Sequence, residues 1–266
     1  MKLGLIQMIV VDSKEKNMSK AKEMIEAVVS NGADVVLLPE MFNCPYDNSY
    51  FGDYAEVDGG TTYRTLSTWA KTFGIVLVAG SVPEVDGNCL YNTSYIFDEN
   101  GTCIGKHRKT HLFDIDIHGK IRFMESEVLT AGDRTTVVDT QYGKIGVCIC
   151  YDIRFPEFAR KMALEGAKLI LIPGAFNMTT GPAHWRLTAR ARALDNQVYY
   201  GLCSPARVNE EGYVAYGHSL VTNPWGEVLN ELDEREGILL QEIDLDFEDE
   251  VRAQLPLLKH RKPECY

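Results

Sequence analysis

The chain has 266 residues, 45% of them hydrophobic and 24% charged, with 10 prolines and 22 glycines. That length can bury a large core, and the composition excludes a low-complexity or disordered chain. With 38 acidic residues against 27 basic ones the formal net charge is −11, which repels nucleic-acid backbones and anionic lipids, so neither is expected as a partner.

Taken in chain order, the run KLGLIQMIV at 2–10 reads as the first strand of a folded core. Lysine ahead of an apolar run superficially suggests a signal sequence. Gln7 interrupts it, however, no small-residue cleavage site follows, and the chain passes straight into DSKEKNMSKAKEMIEAVV. No apolar run approaches the length of a membrane span. Residues 15–30 carry helical periodicity, with Asp12 or Ser13 as the cap. A buried strand in GADVVLLPEMF at 32–42 leads to Glu40, a second helix follows at 60–73, and strands lie in GIVLVAGSVPE at 74–84 and YNTSYIFDENG at 91–101. Residues 102–143 are polar, rich in His, Lys and Asp, and read as one long functional loop. Beyond it come a strand at KIGVC, 144–148, and a helix at 156–166 with Pro156 in its first turn. GAKLILIPGAF at 166–176, a helix at 183–196, and the runs QVYYGLCSPAR at 197–207 and YGHSLVTNPWG at 216–226 complete the pattern. The basic run Lys259-His260-Arg261-Lys262 follows an acidic stretch, and suits a solvated face or a subunit contact better than nucleic acid.

The two halves repeat each other. KLGLI matches KIGVC, GADVVLLPEMF matches GAKLILIPGAF, GIVLVAGSVPE matches QVYYGLCSPAR, and YNTSYIFDENG matches YGHSLVTNPWG, all in the same order. Each half reads strand, helix, strand, helix, strand, strand. Two such halves, each with helices on one face, can bury their bare sheet faces against one another. The expected fold is therefore α/β: a four-layer αββα sandwich of two mixed sheets with an internal pseudo-two-fold repeat. With no Ser/Gly/Pro-rich linker dividing the chain, residues 1–266 are expected to form a single domain. The seven cysteines are odd in number, scattered and without a CxxC pair, which points to reduced thiols and a cytoplasmic location.

Catalytic groups in open α/β sheets collect at the carboxyl ends of strands. Glu40 ends VVLLPE, and its repeat counterpart is Gly174, so the fold does not require an acid there. Cys150 ends KIGVCIC, opposite Met8, and Lys109 lies in KHRKTHLFD inside the long insertion. Singly, each has an ordinary reading: a solvated end-cap, a strand cysteine acting as a small hydrophobe, a surface charge. Together they supply a nucleophile, a base and a cation, the set that acyl transfer by a thiol needs. Glu40 can take the Cys150 proton and pass it to departing ammonia, while Lys109 and the backbone N–H of Tyr151 can hold an oxyanion. Arg154 is a candidate anchor for a substrate carboxylate, against an ordinary salt bridge at the start of the following helix. Tyr46, Phe113 and Phe176 are candidate pocket walls; Phe42, the repeat partner of Phe176, favours a packing role for that residue. This chemistry needs no metal or organic cofactor.

The segments LLPE, KTHLFD and CYDIRFPE resemble the three-part signature of the nitrilase (carbon–nitrogen hydrolase) superfamily. The resemblance extends over essentially the whole chain: PGAFNMTTGPAHW, RARALDNQVYYGLCSPAR, YGHSLVTNPWGE, DIDIHGKIRFMES and NCPYDNSYF look like segments of its ω-amidase branch. It implies Glu40 as general base, Lys109 as oxyanion stabiliser, Cys150 as nucleophile, and Glu125 as the second glutamate that helps hold lysine and substrate. It also implies an αββα fold and ammonia release from the terminal amide of a small keto acid, α-ketoglutaramate or α-ketosuccinamate, through a thioester. The related branch acting on deaminated glutathione, and nitrile hydrolysis, use the same nucleophile. Family members commonly dimerise, which would place the tail, about 248–266, at a subunit interface. Two rival classes are a metal-dependent hydrolase built on His111, Asp114, Asp116 and His118, whose spacing matches no compact zinc motif, and a non-catalytic interaction protein.

Overall fold

The computed structural model describes residues 1–119, 121–208 and 212–265; Lys120 of the insertion and Tyr266 of the tail lie outside them. The first half runs β1 (Lys2–Gln7), α1 (Lys14–Ser30), β2 (Val35–Leu37), a short α2 (Asn48–Tyr54), α3 (Thr61–Phe73), β3 (Val76–Val78), β4 (Val82–Asp86) and β5 (Cys89–Phe97). Ser13 caps α1, its side chain accepting from the Lys16 N–H. Gly74, at φ 63°, closes α3 in the left-handed conformation that glycine adopts without penalty.

The insertion is not one loop. It contains β6 (Cys103–Arg108), the hairpin β7 (Asp114–Ile117) and β8 (Ile121–Met124), and β9 (Thr136–Thr140). β6 extends the first sheet beside β5, and β9 joins the second sheet. Polar composition hides these strands because one face of each is left in contact with solvent or with charged partners. The second half follows with β10 (Gly143–Val147), α4 (Pro156–Leu164), β11 (Leu169–Pro173), α5 (Gly181–Asn196), β12 (Tyr199–Cys203), β13 (Leu220–Thr222) and β14 (Val228–Glu231). Then come β15 (Gly237–Glu242), α6 (Leu245–Gln254) and a tail of turns with a 3₁₀ turn at Pro263–Cys265.

The first sheet has the order β15-β1-β2-β3-β5, with β4 and β6 both paired to β5; the second has the order β9-β10-β11-β12-β13-β14. In each, three parallel strands are flanked by antiparallel ones. β15 thus takes beside β1 the place that β9 takes beside β10. Alternation along the strands sorts the core into layers. Leu3, Leu5, Val35, Leu37, Val76 and Val78 meet Ile145, Val147, Leu169, Leu171 and Tyr199 between the sheets. Gly4, Val36 and Leu77 face α1 and α3, while Gly146, Ile170 and Tyr200 face α4 and α5. The architecture is the αββα sandwich.

The repeated glycine has a physical cause. A Cβ at Gly4 would stand 2.7 Å from Val28 Cγ2 of α1, and one at Gly146 would stand 3.2 Å from Met162 Sδ of α4. In both halves the glycine lets the first helix settle against the sheet.

Candidate active site

Three chain turns converge at the carboxyl ends of the strands. Pro39–Phe42, just past β2, is held by Ser81, whose Oγ accepts from the Met41 N–H at 3.0 Å and whose backbone pairs with Pro39 and Phe42. Met41 has φ 49°, so the chain reverses directly after Glu40. Cys150 has φ 46° and opens a short 3₁₀ turn, Cys150–Arg154. Left-handed backbone at a non-glycine residue stores strain, and such strain clusters at functional sites. Lys109 follows β6, its N–H bonded to the Asn92 carbonyl at 2.8 Å.

Glu40, Lys109 and Glu125 are fully buried and in direct contact. Lys109 Nζ donates to Glu40 Oε1 and to Glu125, each at 2.9 Å. Tyr46 donates to Glu125 Oε1 at 2.7 Å, and the Phe113 N–H donates to Glu125 Oε2 at 2.6 Å. Asn92 Nδ2 donates to Glu40 Oε1 at 2.9 Å, whereas Glu40 Oε2 is buried with no hydrogen-bond partner among the described residues. Cys150 is 3% exposed, and Glu40, Lys109 and the Ala175 backbone are among the groups that act on its thiol.

Burial sets the protonation states. It raises the Glu40 pKa above the ordinary carboxylate value, with Lys109 opposing and Glu125 adding to the rise. Burial, followed by the Glu40 charge, pushes the Cys150 thiol well up, so the resting cysteine is neutral. For Lys109 burial acts downward, but Glu125 and Glu40 outweigh it and hold the ammonium charged. A neutral thiol thus sits beside a proton acceptor and a fixed positive charge.

Of the candidate pocket residues, Tyr46 lines a cavity of about 530 Å³ that also reaches Glu40, Met41, Ala175, Tyr50 and Tyr213. Phe113, Tyr151, Arg154 and Phe176 are not among its lining residues. Phe176 packs edge-on against Trp185, with ring centroids 4.9 Å apart, in the layer beneath α5; Phe42 is buried in the corresponding layer of the first half. Phe113 stands edge-on to Tyr151 at 5.3 Å. Arg154 is half-buried over the Phe176 ring at 4.6 Å, and its Nη1 meets His184 Nδ1 at 3.1 Å. Burial lowers its pKa, with the Cys150 thiol the largest opposing influence. No carboxylate pairs with it among the described residues, so the salt bridge weighed from sequence is not formed.

Asn92, His107 and Asp152 also pack around these groups, and the sequence reading singled out none of them, although His107 and Asp152 lie inside KHRKTHLFD and CYDIRFPE. Asp152 accepts from the Ile149 N–H at 3.0 Å and the His111 N–H at 2.8 Å, and meets His107 Nε2 at 3.0 Å and His111 Nδ1 at 2.7 Å. Burial acts upward on its pKa, yet these bonds hold the carboxyl well below its ordinary range. His107 and His111 flank Lys109, so Asp152 ties the lysine-bearing strand to the cysteine-bearing turn. His111 is thereby committed to Asp152, and Asp114 accepts from the Ser126 N–H; among the described residues no group of three or more His, Cys, Asp or Glu side chains is gathered to hold a metal ion.

The chain is similar to known proteins over nearly its whole length. The carbon–nitrogen hydrolase family model matches residues 2–253. Omega-amidase NIT2-A of Xenopus laevis is 51% identical over 265 residues, covering all of this chain and 96% of that protein. The crystal structure of Saccharomyces cerevisiae Nit3, a member of branch 10 of the nitrilase superfamily, superposes with a TM-score of 0.91 at 43% identity, covering 98% of this chain and 96% of that one. A mutant of the amidase from Nesterenkonia sp. AN1, with acrylamide added at its active-site cysteine, superposes with a TM-score of 0.79 at 25% identity, covering 96% and 98% of the two chains. The chain therefore belongs to the carbon–nitrogen hydrolase family, the nitrilase superfamily of hydrolases acting on C–N bonds other than peptide bonds.

Proposed function

We propose that the protein is an ω-amidase that hydrolyses the terminal amide of a short keto acid through a Cys150 thioester. The observation that carries this reading is Lys109, charged and pinned between Glu40 and Glu125 beside a buried neutral thiol. Attack moves the Cys150 proton to Glu40 Oε2 as the Sγ–C bond forms. The carbonyl oxygen becomes an oxyanion facing Lys109 Nζ and the Tyr151 N–H, donors each worth about 3–4 kcal/mol in comparable sites. Collapse breaks the C–N bond while Glu40 returns the proton to the leaving nitrogen, releasing ammonia. Water, deprotonated by Glu40, then cleaves the thioester to the carboxylic acid and regenerates the thiol. Glu125, gripped by Tyr46 and the Phe113 N–H, holds the lysine in place.

Arg154 supports the choice of an acidic substrate. It is a half-buried guanidinium under the influence of Cys150, lacks a carboxylate partner among the described residues, and has a buried Nε without a hydrogen bond. A carboxylate on the substrate satisfies it. The omega-amidase relative at 51% identity supports the same choice. Ammonia release from α-ketoglutaramate, with glutamine, deaminated glutathione and a simple nitrile alongside, tests the reading. The keto-amide is expected to be preferred. Cleavage of deaminated glutathione with an inert keto-amide would keep the residues and replace the substrate.

The same reading includes a homodimer or higher homo-oligomer in the cytoplasm. Leu164 and Leu187, 51% and 64% exposed on α4 and α5, support an apolar contact between copies, and seven unbonded cysteines suit a reducing compartment. A monomeric mass by light scattering would contradict the oligomer.

A further inference from the structure

The two oxygens of the Glu40 carboxylate are not equivalent. Oε1 accepts from Lys109 Nζ and Asn92 Nδ2, both at 2.9 Å, and has the Tyr46 hydroxyl at 3.4 Å. Oε2 is buried and has no partner among the described residues. A buried carboxylate oxygen without a donor costs free energy, and such groups call for a use. An ammonium and an amide NH₂ can only donate, so a proton arriving at Glu40 has no place on Oε1. The one oxygen left to take it is Oε2.

Asn92 is well placed to enforce this asymmetry. It is fully buried on β5, its carbonyl accepts from the Lys109 N–H at 2.8 Å, and its side chain reaches Glu40. One residue thus sets the backbone of the cation and the side chain of the base. Its own Oδ1 is buried and unpaired, a cost that packing alone does not repay.

The internal repeat supplies a control. In the match between YNTSYIFDENG and YGHSLVTNPWG, Asn92 corresponds to Gly217, as Glu40 corresponds to Gly174. β5 and β13 occupy the same place in their sheets without an asparagine in the second half. The pair occurs only in the half that carries Lys109.

We propose that Asn92 is a positioning residue that, together with Lys109, occupies Oε1 of Glu40 and so reserves Oε2 as the atom that exchanges the proton with Cys150 and the leaving nitrogen. The proposal rests on Glu40 being the base. Losing the Asn92 donor removes a hydrogen bond to the charged carboxylate and lets the two oxygens interchange, which misaligns proton transfer rather than substrate binding.

The test compares Asn92→Ala and the isosteric Asn92→Asp with wild type, with Glu40→Gln alongside. Steady-state ammonia release from the amide substrate is measured across pH, with thermal melts as a control. The groups facing Glu40 are Lys109, Glu125, Tyr46, Cys150 and Tyr213, all unchanged in both Asn92 variants. We expect kcat to fall about 30- to 100-fold with KM changed less than about threefold, the scale of a misaligned reacting group. We also expect the acid limb of kcat/KM to move to higher pH, further for Asp, which adds a like charge, than for Ala, which only removes a donor. An unmoved limb, whatever the loss of rate, or failure of both variants to fold, would make Asn92 a residue of the fold and overturn the proposal. Activity retained by Glu40→Gln would instead overturn Glu40 as the base.

Discussion

Lys109 and its two carboxylates form a buried cluster with one positive group and two negative ones. Their pKa shifts give opposite signs for stability. The raised Lys109 pKa means that its stabilising contribution is complete at neutral pH and lost only as pH rises beyond the ordinary lysine range. The raised Glu40 pKa means that the native state holds its proton more tightly than the unfolded chain, so stability is lost as pH rises through the folded pKa. Lys109→Ala leaves two carboxylates facing each other and is expected to cost about 3–5 kcal/mol in denaturant unfolding at pH 7.5. Glu40→Gln leaves one carboxylate on one ammonium and is expected to melt no lower than wild type while losing ammonia release. A Glu40→Gln protein that melts well below wild type would contradict this assignment of charge. Glu40, Cys150 and Lys109 are legible in the sequence because their motifs are local. The roles of Asn92 and of Asp152, which lies inside CYDIRFPE, are not, because each acts across the fold on a residue 52 and 41 positions away, respectively. The mismatch of Asn92 with Gly217 in the repeat is the signal that was available.

At the level of elements, the glycines of the repeat set how closely helices approach the sheets. Gly4→Ala would drive a Cβ to 2.7 Å from the branched Val28, while Gly146→Ala would meet Ile170 Cγ1 at 3.1 Å and the yielding Met162 thioether at 3.2 Å. The first is expected to destabilise by about 1–3 kcal/mol and the second by less, as measured by urea unfolding. Equal losses would mean that the helices shift freely. α6 carries a second pH-dependent element. Glu248 is buried on its inner face, and burial raises its pKa to about 7 against the pull of Arg252. Its contribution to stability is therefore present below the ordinary glutamate pKa and lost as pH rises through about 7. The melting temperature of wild type is expected to fall between pH 6 and pH 8.5 by more than that of Glu248→Gln, and parallel curves would refute this. Periodicity revealed α1, α3, α4 and α5 and the central strands of both sheets, but not the short α2, the acidic α6, the hairpin β7–β8 or β14. It missed β15, whose partner β1 lies at the other end of the chain, and β6 and β9, whose polar sequence resembles a loop.

Across the whole molecule, the pseudo-two-fold repeat builds two similar sheets but places the proposed catalytic residues at one site. The second half contributes Cys150 where the first has Met8, and the first contributes Glu40 and Asn92 where the second has Gly174 and Gly217. Gly174 is small for a reason: a Cβ there would stand 3.1 Å from Trp185 and 3.5 Å from the Cys150 Cα. The second half thus gives up a side chain beside its own Cys150, and the proposed base and nucleophile come from different halves. The four ordered matches made the sandwich legible from sequence, because the repeat fixes strand order in both halves at once. The central claim is that Cys150 is the nucleophile of an amide hydrolysis assembled across these two halves. Ammonia release from α-ketoglutaramate by wild type and by Cys150→Ala, at matched concentrations of folded protein, tests it most directly. The account predicts steady release by wild type and a loss of about 10⁴-fold or more in the variant; ammonia release undiminished in Cys150→Ala would contradict it.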